Sequence, residues 1–527
     1  MFRDNRFLTG NDPIAGSTAL YERFKDGRLV WDEDLSGPFA VLILDKGDQS
    51  VMVVTDLMLF LPVYEYAAGD EIVLGTHVDA VARAARSGEI DTVSLADFVL
   101  HSVITWPYTS YKYIRQCKPA AVHGYACTAG GAKPAGTNAY WEPADTPRFN
   151  SISEAANQLK EVVSGCIARV TVGMTHVGLL VSGGEDSRLM AALLPPHLKR
   201  DAFIFLDNMN REGRLARRVT DAFGMELRVG LRKTTHYLDA LPQATRLIGS
   251  DQQCIHAHTL GFYREFELDR LDAVFGGFLA NSLLKGDNRH QTRLQRMLPF
   301  LPQKALPGEG HSKPSHSKLF DSSILARIDE RRRNQLDRVR LHRNETTHEW
   351  FQFWPRTMGY ANANITVNRR LFRSYEPFTS NEVVKISAAV PRQWKLNRRL
   401  YHRAFHTFFK PVRHVPHSKG HMPAYPWWVN IPFSFSYWIF EKTRNRLGLR
   451  KFYDGPWIDW IALLQTPEWQ QQIEAACSEP FLEKWFGPAG SSGQAGDRCL
   501  DLKFTAMINL IQARHFLQET ESQTTHE

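Results

Sequence analysis

Residues His176–Arg188 confine the chain to a small set of folds. His176 to Val181 is an apolar run of strand length, Ser182-Gly183-Gly184 is a small-residue turn, and Arg188 to Leu194 carries helical patterning. A strand that enters a helix through two glycines points free backbone N–H groups and the positive end of a helix dipole at one spot. Such a spot binds phosphate. The glycines let the backbone approach an anion with no Cβ in the way. Ser182 and Ser187 add hydroxyl donors, and Asp186 can hold a magnesium ion bridging phosphates. No lysine closes the loop, so it is not the G-x-x-x-x-G-K-[ST] type.

Strand and helix patterns alternate from 176 onward. A strand at 176–181, a helix at 187–195, a strand at 202–206, a helix at 211–223 ending at Gly224, a strand at 226–229 and a strand at 273–275 entering Gly276-Gly277 follow in order. This alternation predicts a doubly wound parallel α/β sheet with its ligand at the carboxyl ends of the strands. Upstream, 39–44 and 50–55 read as a β-hairpin, as do 61–66 and 71–75 around Ala68-Gly69-Asp70. A Gly/Ala/Pro-rich stretch at 129–136 precedes Tyr140-Trp141, and Ser151 with Glu154 opens a helix to about Val170. Residues 302–318 read as a mobile loop or lid. The remainder is mostly helical, with a loose 487–496 stretch before a last helix at about 498–518.

Composition narrows the function classes. The chain has 527 residues, enough for two or three domains, and a net charge of +8. The densest basic run, Arg331-Arg332-Arg333 with Arg338, Arg340 and Arg343, alternates with Asp329, Glu330, Asp337 and Glu345, which reads as a solvated helix face and not a nucleic-acid patch. Six scattered cysteines without a C-x-x-C predict reduced thiols in the cytoplasm, with no zinc site or disulfide framework. His256 and His258, and the group His414, His417 and His421, read as surface or ligand-side polar residues and not as metal ligands. Met1–Arg6 lacks the apolar core of a signal peptide, and no run has membrane-spanning length. The aromatic stretch Tyr425–Phe440 reads as core or subunit-contact packing, with a membrane-surface role as the alternative.

The S-G-G-x-D-S loop resembles the pyrophosphate loop of the N-type ATP pyrophosphatases, the family of asparagine synthetase, β-lactam synthetase and argininosuccinate synthetase. The resemblance implies ATP and Mg2+, adenylation of a carboxylate and release of pyrophosphate. It assigns Ser182, Gly183, Gly184, Asp186 and Ser187 to the β,γ-phosphates, backbone at Val181 and Phe205 to the adenosine, and Gly276-Gly277 to closing the pocket. Arg6–Asp12, Leu35–Ala40, Gly75–Ala80 and Tyr140-Trp141 look like the second half of the family's Ntn-type glutaminase domain. The implied division is 1–145 for a truncated glutaminase-like domain, 150–490 for the ATP pyrophosphatase domain, and 491–527 for a linker and C-terminal helix. Phe2 stands where the family carries its nucleophilic cysteine, so intrinsic glutamine hydrolysis is not expected. A homodimer contact or another partner is expected to cover the half-sandwich.

The resemblance breaks at the second substrate. The family's G-E-G-x-D-E-x-x-x-G becomes Gly277-Phe278-Leu279-Ala280-Asn281-Ser282-Leu283-Leu284-Lys285-Gly286, with Phe278 at the glutamate position and Asn281 at the second metal ligand after Asp186. E-x-R-x-P-F becomes Arg373–Phe378, the K-x-x-L-R lysine falls at Arg398 or Arg399, and R-x-K-x-G survives as His417-Ser418-Lys419-Gly420. Arg398 or Arg399, with Lys419, is expected to neutralise transition-state charge. The expected activity is a ligase joining a carboxylate (aspartate, a sugar acid or a peptide) to an amine or ammonia. The alternatives are a non-catalytic ATP-binding paralogue acting with a partner synthetase, and an adenylating RNA-modification enzyme. The last predicts a cysteine pair or a basic RNA-binding domain, and neither is visible.

Overall fold

The computed structural model describes residues 13–286, 293–304, 315–355, 359–448, 455, 458–487, 499 and 502–524. Strands β1 (Ala40–Asp45) and β2 (Ser50–Thr55) pair antiparallel from Ala40 opposite Thr55 to Asp45 opposite Ser50. Their turn is held by Asp45, whose carboxylate accepts from Gly47 N at 2.8 Å and Asp48 N at 3.2 Å. β3 (Tyr64–Ala68), β4 (Glu71–Gly75) and β5 (Ile114–Gln116) form a second antiparallel sheet in the order β4-β3-β5. β6 (Ala121–Thr128) and β7 (Gly131–Ala139) complete the first as β1-β2-β6-β7. β7 covers most of the Gly/Ala/Pro-rich stretch to which the sequence assigns no element. It is an edge strand, where Pro134 needs no donor for a further neighbour.

The second layer begins with α1 (Ile152–Val170), where Ser151 Oγ accepts from Glu154 N at 3.2 Å and Glu154 accepts from Asn150 N at 2.9 Å. There follow β8 (His176–Leu180), α2 (Glu185–Leu193), β9 (Lys199–Leu206), α3 (Arg211–Ala222), β10 (Glu226–Leu231), β11 (Ala273–Phe275), α4 (Ala280–Leu284) and, later, β12 (Ser374–Tyr375). Every pairing is parallel and the order is β10-β9-β8-β11-β12. From β8 the chain builds outward to β9 and β10, then returns to place β11 on the other side of β8. The segments leaving β8 and β11 therefore diverge and open a crevice at their carboxyl ends. The expected doubly wound sheet is present, with the glycine turns at 182–184 and 276–277 on the two lips of that crevice.

Helices α5 (Ser322–His342), α6 (Gly359–Leu371), α7 (Asn381–Ala389), α8 (Arg399–Phe405), α9 (Asn430–Arg446) and α10 (Phe504–Thr524) make up much of the rest. Several sequence expectations change here. The basic run on α5 is not merely a solvated face: Arg331 pairs with Asp91 at 2.9 Å, Arg332 with Asp97 at 3.6 Å, and Arg343 just beyond it is buried on the carbonyls of Pro143, Ala144 and Ala388. Composition could not show that partners come from 45 or more residues away. Cys477 and Cys499 form a disulfide, because the helical layer brings together two cysteines 22 residues apart. The aromatic stretch is not core: Trp428 just before α9, and Phe433, Phe435, Ile439 and Phe440 along it, are exposed. α10 starts later than expected and docks on the helix Thr92–His101, with Asn509 Nδ2 donating to the Phe98 and Val99 carbonyls at 3.1 Å each. The 302–318 and 487–496 expectations fall largely on residues outside those described. Among the described residues no helix is long and apolar enough to cross a membrane.

Gly178 sits mid-strand in β8, the strand that carries the crevice. A Cβ there would lie 2.8 Å from Leu271 and 2.9 Å from Phe203. Gly178→Val should therefore overpack the sheet and lower stability by about 1–3 kcal/mol in urea denaturation. An unchanged midpoint would contradict this packing.

Candidate active site

The phosphate loop is fixed by its own side chains. Ser182 N donates to Ser187 Oγ at 3.1 Å, Ser187 Oγ donates to the Ser182 carbonyl at 3.2 Å, and Gly184 N donates to Ser182 Oγ at 3.1 Å. Gly183 N donates to the carboxylate of Glu212, on α3, at 2.6 Å. Both glycines sit in close approach: a Cβ on Gly183 would stand 3.0 Å from Glu212, and one on Gly184 2.9 Å from Ser182 Oγ. Arg188 is fully buried and locks the loop from below. Its guanidinium donates to the carbonyls of Val415 and Pro416 at 2.5 Å and of Gly183 at 3.0 Å. Ser418 N also donates to Gly183 O at 3.2 Å, so the 415–421 turn is part of the site.

Charge at the start of α2 is concentrated and nearly dry. Lys285 Nζ lies 2.8 Å from Glu185 and 2.5 Å from Asp186, and 4.2 Å above the Tyr401 ring. Arg398 donates to Glu185 through Nε at 2.7 Å and through a second nitrogen. Burial alone would raise the Glu185 carboxyl, but Arg398 and Lys285 outweigh it and hold the group below the usual carboxylate range. Asp186 is raised, by burial first and then by the Glu185 charge, against the pull of Lys285. Two consecutive left-handed residues, Asn397 (φ 55°) and Arg398 (φ 59°), turn the arginine inward. The Asn397 side chain holds this shape by bonding the Gln303 backbone at 2.7 and 3.1 Å. Backbone strain of this sort collects at functional sites.

On the opposite lip, a Cβ on Gly277 would meet Asp186 at 2.9 Å, and one on Gly276 would run into the Glu376 carboxyl. Glu376 accepts from Phe278 N at 2.9 Å, while its Oε1 has no partner. Burial pushes its pKa up to about 8, against the lowering effect of that one amide. The same residue lines a cavity shared by Ser36, Cys166, Arg169 and Arg369, between the segment before β1, α1 and α6.

Most sequence-assigned residues meet here. Ser182, Gly183, Gly184, Asp186 and Ser187 form one lip, and Gly276 and Gly277 the other. Between the two arginine candidates the fold decides: Arg398 enters the cleft and Arg399 is exposed at the start of α8. Lys419 is exposed on the turn beside the loop, and Asn281 is exposed on α4. Val181 N is used by the sheet, donating to Phe203 O at 2.9 Å, and the Phe205 ring is stacked on Phe262 at 4.7 Å. His256 and His258 are half-buried, and burial holds both rings well below their usual pKa. Sequence reasoning assigned no role to Lys285, Glu185, Arg188 or Tyr401. Lys285 was nonetheless visible, as the one charge in an apolar block ending at Gly286. Among the described residues no three His, Cys, Asp or Glu groups gather as a metal site. A magnesium ion held by one carboxylate and completed by phosphates needs no such cluster, and Asp186 fits that donor set.

Residues 158–418 match the family model described as asparagine synthase. The chain carries an asparagine synthase domain. A search among curated proteins returns no match. The match takes in both lips of the crevice and Arg398.

Two measurements test the electrostatics. Lys285→Met leaves Glu185 and Asp186 short of a buried cation and should cost about 3–5 kcal/mol of stability. The Glu185 contribution is complete above its unfolded value of 4.5 and is lost as pH falls through the depressed folded one. Loss of stability below about 1 kcal/mol in K285M would show the cluster to be loosely coupled. Glu376 works in the opposite sense. The folded chain keeps its proton up to about 8 and the unfolded chain releases it near 4.5, so stability falls as pH rises between those values. Glu376→Gln should remove about 3 kcal/mol of that decline between about pH 5.5 and about pH 8, read as urea midpoints at the two values. Parallel slopes for variant and wild type would rule this out.

Proposed function

We propose that the chain adenylates a substrate carboxylate with ATP and lets an amine or ammonia displace AMP. The observation that carries this reading is the SGGEDS loop at the switch point, its two carboxylates held by Lys285 and Arg398. The hydroxyls of Ser182 and Ser187 and the amino end of α2 receive the phosphates. Asp186 would hold magnesium, which supplies charge neutralisation and orients the phosphates. Arg398 and Lys419 offset charge that develops as the carboxylate attacks. Arginine keeps its charge throughout, unlike a lysine, so Arg398 serves electrostatics and not proton transfer.

The acceptor side differs from the family pattern. Phe278 offers no proton acceptor, and Glu376 presses a carboxyl against the Phe278 amide. With a value near 8 it can take a proton from an amine in mildly alkaline solution. The apolar Phe278 surface favours an acceptor larger and less polar than aspartate, such as a peptide or sugar acid. Glutamine hydrolysis is not part of this reading: burial pushes the Cys117 and Cys254 thiols up to about 12 and Cys166 to about 11, so none of these three is an activated nucleophile. The reading in which the chain only binds ATP beside a partner synthetase draws on Phe278 and Asn281 replacing carboxylates.

Exchange of labelled pyrophosphate into ATP, screened over aspartate, other amino acids, uronic acids and peptides, separates the two. We expect exchange with a larger carboxylate and little with aspartate. ATP binding without exchange for any acid would favour the non-catalytic reading, and brisk asparagine formation would refute the role given to Phe278. Asp186→Ala should weaken binding of a non-hydrolysable ATP analogue about tenfold, or about 1.4 kcal/mol, in calorimetry. Equal affinity would exclude this site. Purified chain should release no glutamate from glutamine above a heat-killed control.

A further inference from the structure

His417 and His421 lie face to face beside the phosphate loop, ring centroids 4.2 Å apart and planes 17° from parallel. Their turn is closed by His417 N donating to His421 O at 2.7 Å, and the Tyr437 ring fills the space that a Cβ on Gly420 would need. Arg188 and Ser418 bind the turn to the loop as described above, so the rings have little freedom to move away.

The two imidazoles differ in their hydrogen bonds. His417 Nδ1 accepts from Lys419 N at 2.9 Å, so the neutral ring carries its proton on Nε2. That Nε2 lies 3.7 Å from where a Cβ on Gly184 would be, in the space the glycine turn keeps clear. It is a donor beside the loop. His421 Nε2 is buried with no hydrogen-bond partner. The charged groups around the pair are Glu185 and Arg188 from α2, Arg211 and Glu212 from α3, Lys285 after α4, Arg398 before α8, and Lys419 on the turn itself. Burial first, and then these cations, hold both rings well below their usual value. An arriving polyphosphate brings several negative charges into the same space, which reverses the balance in favour of a cationic ring. His417 cannot answer by protonating Nδ1 without losing the Lys419 bond, whereas no hydrogen bond holds His421 Nε2, so protonating that nitrogen breaks none.

We propose that His417 and His421 form a second wall of the phosphate site, His417 donating to a phosphate oxygen and His421 taking up a proton as a di- or triphosphate enters. This rests on residues 182–187 being the nucleotide phosphate site. The test is calorimetric titration of the full chain with magnesium pyrophosphate and with a non-hydrolysable ATP analogue. Titrations at about pH 7.5 in buffers of different ionisation enthalpy report the protons taken up per ligand. Wild type should take up a measurable fraction of a proton with either ligand, and His421→Gln should take up none while still binding. His417→Ala should weaken both ligands about tenfold. Zero uptake by wild type, or equal uptake in wild type and H421Q, overturns the proposal while the loop stands as the binding site. If H421Q fails to fold, the wild-type uptake alone decides. Failure of wild type to bind either ligand overturns the loop reading and this proposal together.

Discussion

The cleft is held in shape by four charges with very little water around them: Glu185, Asp186, Lys285 and Arg398. They come from three stages of the chain, the two carboxylates from the start of α2, the lysine from just past α4, the arginine from the turn before α8. Pulling them together fixes the distance between the two lips of the crevice. A bare pair of adjacent carboxylates at a buried helix start would repel and take up protons. With both cations present, Glu185 is held in its charged form, and Lys285 pulls against the burial that raises Asp186, where a metal and a phosphate chain would need a charge.

The fold was legible because the signals were local and periodic. A strand, a two-glycine turn and a helix within 13 residues point to one architecture, and the alternation after β8 gives the parallel sheet. What stayed hidden depended on partners distant in sequence. Lys285 reads as an incidental charge until β11 brings it to α2. Arg398 and Arg399 are indistinguishable in sequence, and only the paired left-handed residues at 397–398 separate them. Cys477 and Cys499 carry no spacing signature, and β7 was missed because an edge strand tolerates the glycine and proline that argue against a central one.

The aromatic segment erred in the other direction. Its composition argued for burial, yet α9 displays Phe433, Phe435, Ile439 and Phe440 to solvent while Tyr437 alone is pressed onto Gly420 next to the phosphate loop. Average hydrophobicity reports how much apolar surface a segment has, not which neighbour the topology provides for it.

The bond from Gly183 N to Glu212 changes what the loop is before any ligand arrives. The amide that most resembles an anion-binding donor already has an anion, built into the chain and raised in pKa by burial with that bond opposing it. A phosphate reaching for this amide is therefore a competitor and not a first occupant. Its rival is tethered, so it cannot be diluted away, and the swap moves a carboxylate on α3 whenever it happens. Affinity at this loop then measures a difference between two anions, and α3 feels the outcome directly.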